Sequence, residues 1–157
     1  ETTREMSTRQ GLGPIHVMIV DDSPVVRSGL RFSLLAFDDL ELVVEADSGE
    51  EALAACRELH GSAVMPDVIL MDMIMPKTSG VFTTRAILEK HPNVSILVLT
   101  GFDTLALIQE ALQAGASGYL LKNASIDELA EAIRAAYNGQ VTLAPEVIEA
   151  LAEASPQ

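Results

Sequence analysis

The chain has 157 residues, 48% of them hydrophobic, and sets 10 Lys and Arg against 23 Asp and Glu for a formal net charge of −13. That length allows one domain with a proper core, and the hydrophobic share excludes a largely disordered chain. The charge excludes a surface on this segment that tracks a phosphate backbone, which needs clustered Lys and Arg.

Glu1–Pro14 is polar, lacks an apolar period and ends Gly11-Leu12-Gly13-Pro14, the pattern of a disordered leader. From Ile15 to Gly139, strand and helix signals then alternate five times. Strands are expected near Ile15–Val20, Glu41–Ala46, Asp67–Met71, Val94–Leu99 and Gly118–Leu121, as nearly continuous apolar runs. Helices are expected near Pro24–Phe37, Gly49–His60, Val81–His91, Thr104–Ala114 and Ile126–Asn138. Ser23-Pro24 places a cap before a first-turn proline. Ser48 with Glu51, and Ser125 with Glu128, have the spacing of capping boxes. Gly115 and Gly139 stand where a left-handed residue closes a helix.

Strand–helix alternation at this spacing gives right-handed parallel crossovers. Continuous apolar strands belong to a parallel sheet covered on both faces. The expected fold is therefore α/β, a flavodoxin-like (βα)5 doubly wound sheet of strand order 2-1-3-4-5. Residues 15–139 form this domain. Gln140–Gln157 reads as a linker carrying a short, loosely docked acidic helix, Glu146–Ala154, started by Pro145. Cys56, the only cysteine, excludes an internal disulfide and reads as a small core residue. No stretch approaches the roughly 18 apolar residues of a membrane span, and no signal peptide stands before Ile15; a cytoplasmic setting without membrane contact is expected.

In open parallel sheets, ligands bind at the carboxyl ends of the strands. Here those ends carry Asp21-Asp22, Asp72, Thr100 and Lys122. Three carboxylates, a hydroxyl and an ammonium would then meet in one cleft. Magnesium, a hard octahedral cation that prefers oxygen ligands and keeps several waters, suits such a set. Asp21 and Asp22 can supply one direct and one water-mediated contact, and Asp72 another. Asp72 is the candidate nucleophile, able to take a phosphoryl group as an acyl phosphate. Phosphoryl transfer asks mainly for positioning and charge neutralisation, for which Lys122 and the Thr100 hydroxyl stand ready.

The run Met71-Asp72-Met73-Ile74-Met75-Pro76, followed by Gly80, resembles the phosphoacceptor loop of bacterial response regulator receiver domains. The resemblance covers Ile15 to Gly139. It implies that Asp72 accepts phosphate from a sensor histidine kinase and that Asp22, Asp72 and the Ile74 backbone carbonyl ligate Mg2+ directly, with Asp21 acting through water. It also implies Thr100 and Lys122 as phosphate-binding groups, and Thr100 with Tyr119 as the switch pair that repacks one face on phosphorylation. Receivers commonly carry proline after the lysine, joined by a cis bond; Asn123 stands there instead, and a non-proline cis bond costs about 3 kcal/mol, so a trans bond or a rearranged loop is expected. Ile74 and Phe102 are apolar where relatives often carry polar groups, which would lengthen the phosphoryl lifetime by obstructing a hydrolytic water.

Asn138–Val147 resembles the junction of NarL/FixJ-type regulators, in which a linker leads into a helix-turn-helix domain. That resemblance implies a transcriptional regulator that dimerises on phosphorylation and touches DNA only through a C-terminal domain outside this chain. Such a module is no enzyme beyond taking up and shedding its own phosphoryl group. The alternatives are a stand-alone receiver acting through protein contacts, and a haloacid-dehalogenase-like phosphatase. The latter needs a second aspartate two residues after the nucleophile, where Ile74 stands.

Overall fold

The computed structural model describes residues 13–101 and 104–154. The expected leader lies outside these residues but for Gly13 and Pro14, and so does Phe102. Six strands and six helices alternate: β1 Ile15–Val20, α1 Pro24–Leu34, β2 Leu40–Ala46, α2 Gly49–Leu59, β3 Val68–Met71, α3 Gly80–Lys90, β4 Ser95–Thr100, α4 Leu105–Gln113, β5 Gly118–Leu121, α5 Ile126–Tyr137, β6 Thr142–Leu143 and α6 Pro145–Ala154. The strands form one sheet in the order β2-β1-β3-β4-β5-β6, and every pairing is parallel. This is the expected doubly wound α/β fold with one strand more than expected.

Side chains alternate across a strand, and the two layers of core follow that alternation. Val17, Ile19, Val68, Leu70 and Leu97 point to one face, where Leu34 of α1 and Leu129 and Ile133 of α5 cover them. Met18, Val20, Ile69, Met71 and Ile96 point to the other, against Ala52 and Cys56 of α2 and Ile87 of α3. Every residue of β1 and β3 is buried, and all but His16 are apolar. Burial also pushes the Cys56 thiol up to about 11, which leaves it an inert core residue.

The caps explain why the helices begin where they do. Ser23, Ser48, Ser79 and Ser125 each accept a bond from the third residue beyond. Only Ser125 completes the reciprocal box with Glu128; Glu51 accepts instead from the Asp47 N–H, at 2.8 Å. Gly115 and Gly139 take positive φ, +107° and +80°, as helix-closing residues. α1 stops at Leu34, three residues short of Phe37, because the chain turns in tight three-residue bonds, Ala36 to Ser33 and Phe37 to Leu34.

The segment after Gly139 packs more firmly than a loose linker helix would. Its β6 pairs with β5, and α6 sends Val147, fully buried, into the core beside Tyr119 and Ile108. Gly118 makes that pairing feasible: a Cβ there would stand 2.7 Å from the Thr142 carbonyl oxygen. Gly118→Ala should therefore destabilise the fold by about 1–3 kcal/mol, whereas Gly29→Ala, in α1 with open space around it, should stabilise it by about 0.5–1 kcal/mol. Urea denaturation of the two variants checks both signs.

Candidate functional site

Four strand ends build the site. The backbone ladder runs past β1 and β3, with Asp21 N–H bonding the Ala46 carbonyl at 3.1 Å and Asp72 N–H bonding that of Val20 at 3.0 Å. Beyond β5, Lys122 N–H bonds the Thr100 carbonyl at 2.7 Å. The sheet thus carries Asp21, Asp72, Thr100 and Lys122 to one edge by main-chain bonds alone. Ligand oxygens of Asp21, Asp22 and Asp72 all lie within 4.8 Å of one another. Asp21 and Asp72 are 2% and 4% exposed, while Asp22 faces solvent.

One ammonium serves both buried carboxylates. Lys122 Nζ stands 3.0 Å from Asp21 Oδ2 and 3.6 Å from Asp72 Oδ1, so it leans toward Asp21. Asp21 Oδ1 accepts the Ser23 N–H at 2.9 Å, and Asp72 Oδ1 accepts the Ile74 N–H at 3.3 Å. Burial, with the Asp21 carboxylate adding to it, pushes Asp72 up to about 6, against the pull of Lys122. A cation held among these oxygens would reverse that preference and keep all three carboxylates ionised. The donor set, three carboxylates crowded to ion-binding distances, fits magnesium.

The other expected residues take these places. Thr100 is buried at the end of β4, and Tyr119 is fully buried in β5. Ile74 is half exposed on the loop after Asp72. No peptide bond among the described residues is cis, so Lys122–Asn123 is trans, as the absence of proline led us to expect.

Two supporting features escaped the sequence reading. Arg27 Nη1 donates to the Asp21 carbonyl at 2.6 Å while its Nε donates to Glu45 at 3.2 Å. This braces the β1 end against β2; Arg31 joins the same carboxylate and holds Glu45 below its usual range. Gly80 presses against the Asp72–Met73 backbone: a Cβ would collide with the Asp72 carbonyl and stand 2.7 Å from Met73 Cα. Its N–H closes the loop on the Met73 carbonyl at 3.0 Å. The glycine was visible in the motif, but its reason is this contact. Arg27 left no signal beyond being an arginine on α1.

Residues 17–134 match the family model described as "Response regulator receiver domain". Response regulator GacA of Pseudomonas viridiflava is 40% identical over 138 residues, 88% of this chain and 62% of that protein. Transcriptional regulatory protein LnrK of Bacillus subtilis is 41% identical over 133 residues, 85% of this chain and 58% of that one. The chain thus spans about three fifths of the length of these relatives. Among solved structures, a LuxR-family two-component response regulator from Aurantimonas superposes with a TM-score of 0.82 at 33% identity, covering 90% of this chain and 97% of that one.

The raised Asp72 has a consequence for stability. A carboxyl held above its unfolded value of 3.8 to about 6 contributes stability only where it is protonated, and that contribution is lost as pH rises through the interval. Asp72→Asn should therefore stabilise the metal-free chain at pH 7 by up to about 3 kcal/mol, and the gain should shrink toward zero near pH 4. Urea midpoints at the two pH values measure it.

Proposed function

The chain belongs to the response regulator receiver domain family, and on that premise we propose that Asp72 is its phosphoacceptor, charged by a sensor histidine kinase with Mg2+ in the acidic cleft. The observation that carries this reading is the meeting of Asp21, Asp22, Asp72 and Lys122 at one sheet edge. Asp22, Asp72 and the Ile74 carbonyl would ligate the metal directly, and Asp21 through water. Magnesium, when bound, neutralises oxygens of the incoming phosphoryl group.

The chain's own groups do the rest. An Asp72 oxygen bonds to phosphorus as the bond from phosphorus to the donor's imidazole nitrogen breaks; with the donor ring protonated on its other nitrogen, this leaves an acyl phosphate on Asp72 and a neutral imidazole on the donor. Lys122 is the mobile partner: once negative charge arrives on Asp72, its ammonium gains a reason to leave Asp21 and pair with the phosphoryl oxygens. The Thr100 hydroxyl serves another of those oxygens. Thr100 and Tyr119 then act as the switch, and Tyr119 lies close to the C-terminal segment, since the Ala144 N–H bonds its carbonyl at 3.0 Å. That bond supports a route from the phosphorylation site into α6.

The outcome proposed is dimerisation in a cytoplasmic transcriptional regulator, with DNA bound by a C-terminal domain. Relatives whose matched region is about three fifths of their length support that division of labour, as does the acidity of this segment.

Acetyl phosphate with magnesium should add one phosphoryl group to the intact mass, and Asp72→Asn should abolish the addition; labelling that survives in the variant places the nucleophile elsewhere. Magnesium competes with the proton on Asp72, so its affinity, followed by amide NMR titration, should fall as pH drops from 7 to 5. Asp22→Asn should weaken it about tenfold or more. Beryllium fluoride should shift sedimentation from monomer toward dimer, and unchanged profiles at all concentrations exclude dimerisation as the output of this domain.

A further inference from the structure

At the end of the sheet opposite the acidic cleft, two helices finish on histidines. His60 is the C-terminal cap of α2 and His91 that of α3. Their ring centres stand 5.0 Å apart at an interplanar angle of 56°. Both line one cavity of about 330 Å³, together with Met65, Asp67 and Lys90. We propose that His60 and His91 form a second metal site, taking a transition-metal cation of the zinc, copper and nickel class through one nitrogen of each imidazole.

Four observations carry the proposal. The first is spacing. An ion bound to a nitrogen of each ring at about 2.0–2.1 Å lies roughly 3 Å from each ring centre, and tetrahedral coordination then sets the centres roughly 5 Å apart. The second is an orphaned atom: His91 Nδ1 is buried and has no hydrogen-bond partner among the described residues. A buried nitrogen without a protein partner is costly, and an ion or an ordered water is what satisfies such an atom.

The third observation is the field. Two helices end here on His60 and His91, and the negative end of each helix dipole favours positive charge. The fourth is ligand competence. Burial, with His60 and Lys90 adding to it, pushes the His91 imidazole below its ordinary value, which keeps it in the neutral form that binds metals. Lys90 opposes a cation by its own charge, but it sits on an exposed flexible stem and can turn away. Asp67 is already engaged by the His16 N–H at 2.9 Å, so water, with the Met65 thioether nearby, would complete the shell.

Occupancy would tie the ends of α2 and α3 together. Because a ligand that binds only the folded state stabilises it, zinc should raise the melting temperature. Zinc chloride titrated into the 15N-labelled chain should shift the His60 and His91 ring signals together, saturating at one equivalent, with the His16 ring unmoved. His60→Gln, at an exposed position, should fold normally, lose the joint imidazole response and bind zinc at His91 about tenfold or more weakly. Asp22→Asn should leave the imidazole response intact, because the acidic cleft is a separate site. Rings that do not move, an equal response in His60→Gln, or a response that vanishes in Asp22→Asn would overturn the proposal.

Discussion

Two buried carboxylates, Asp21 and Asp72, share the single ammonium of Lys122, with a third carboxylate, Asp22, close by. Isolated, such a cluster would not stay folded and charged, because removal from water and mutual repulsion both oppose it. The rest of the structure supplies what the cluster cannot. Parallel strands buried on both faces hold the backbone of Asp21, Asp72 and Lys122 by ladder bonds. Arg27 pins the Asp21 carbonyl, and Gly80 lets the Asp72 loop fold flat against the start of α3. The domain frames an electrostatic deficit, which a cation or a proton on Asp72 would relieve.

That deficit also gives the site its direction of response. Lys122 sits nearer Asp21 than Asp72, so in this state its charge is committed to the residue that is not the proposed nucleophile. On the proposed function, new negative charge on Asp72 would draw Lys122 from one carboxylate it already reaches toward the other. Tyr119 lies in the strand that pairs with both β4 and β6. A rearrangement beside Thr100 therefore has a short, main-chain-bonded path to α6.

Much of this was legible from residues alone because burial leaves a plain mark. β1, but for His16, and β3 are apolar since both their faces are covered, and the change to Asp21 and Asp72 marks where the strands end. Serine caps were legible because they act locally. What the sequence concealed was non-local or short. A two-residue strand, Thr142–Leu143, has no period to detect, and its presence is betrayed only by the glycine opposite it. The bond that drew Glu51 to Asp47 competes with an equally good local one to Ser48. The preference of Lys122 for Asp21 over Asp72 is a difference of 0.6 Å between two ion pairs, which no spacing rule contains.

The shortness of β6 matters at the rim of the sheet. An exposed strand is a template on which another chain can add, yet the β5 side here ends in two paired residues with α6 following at once. The opposite rim, β2, carries Glu41 in solvent and Glu45 clasped by two arginines. Neither border offers a long, flat, uncharged ladder. Copies of this domain are thereby steered away from edge-to-edge stacking into continuous sheets, and any specific pairing between them is left to the helical flanks, where it can be made and undone without breaking a strand.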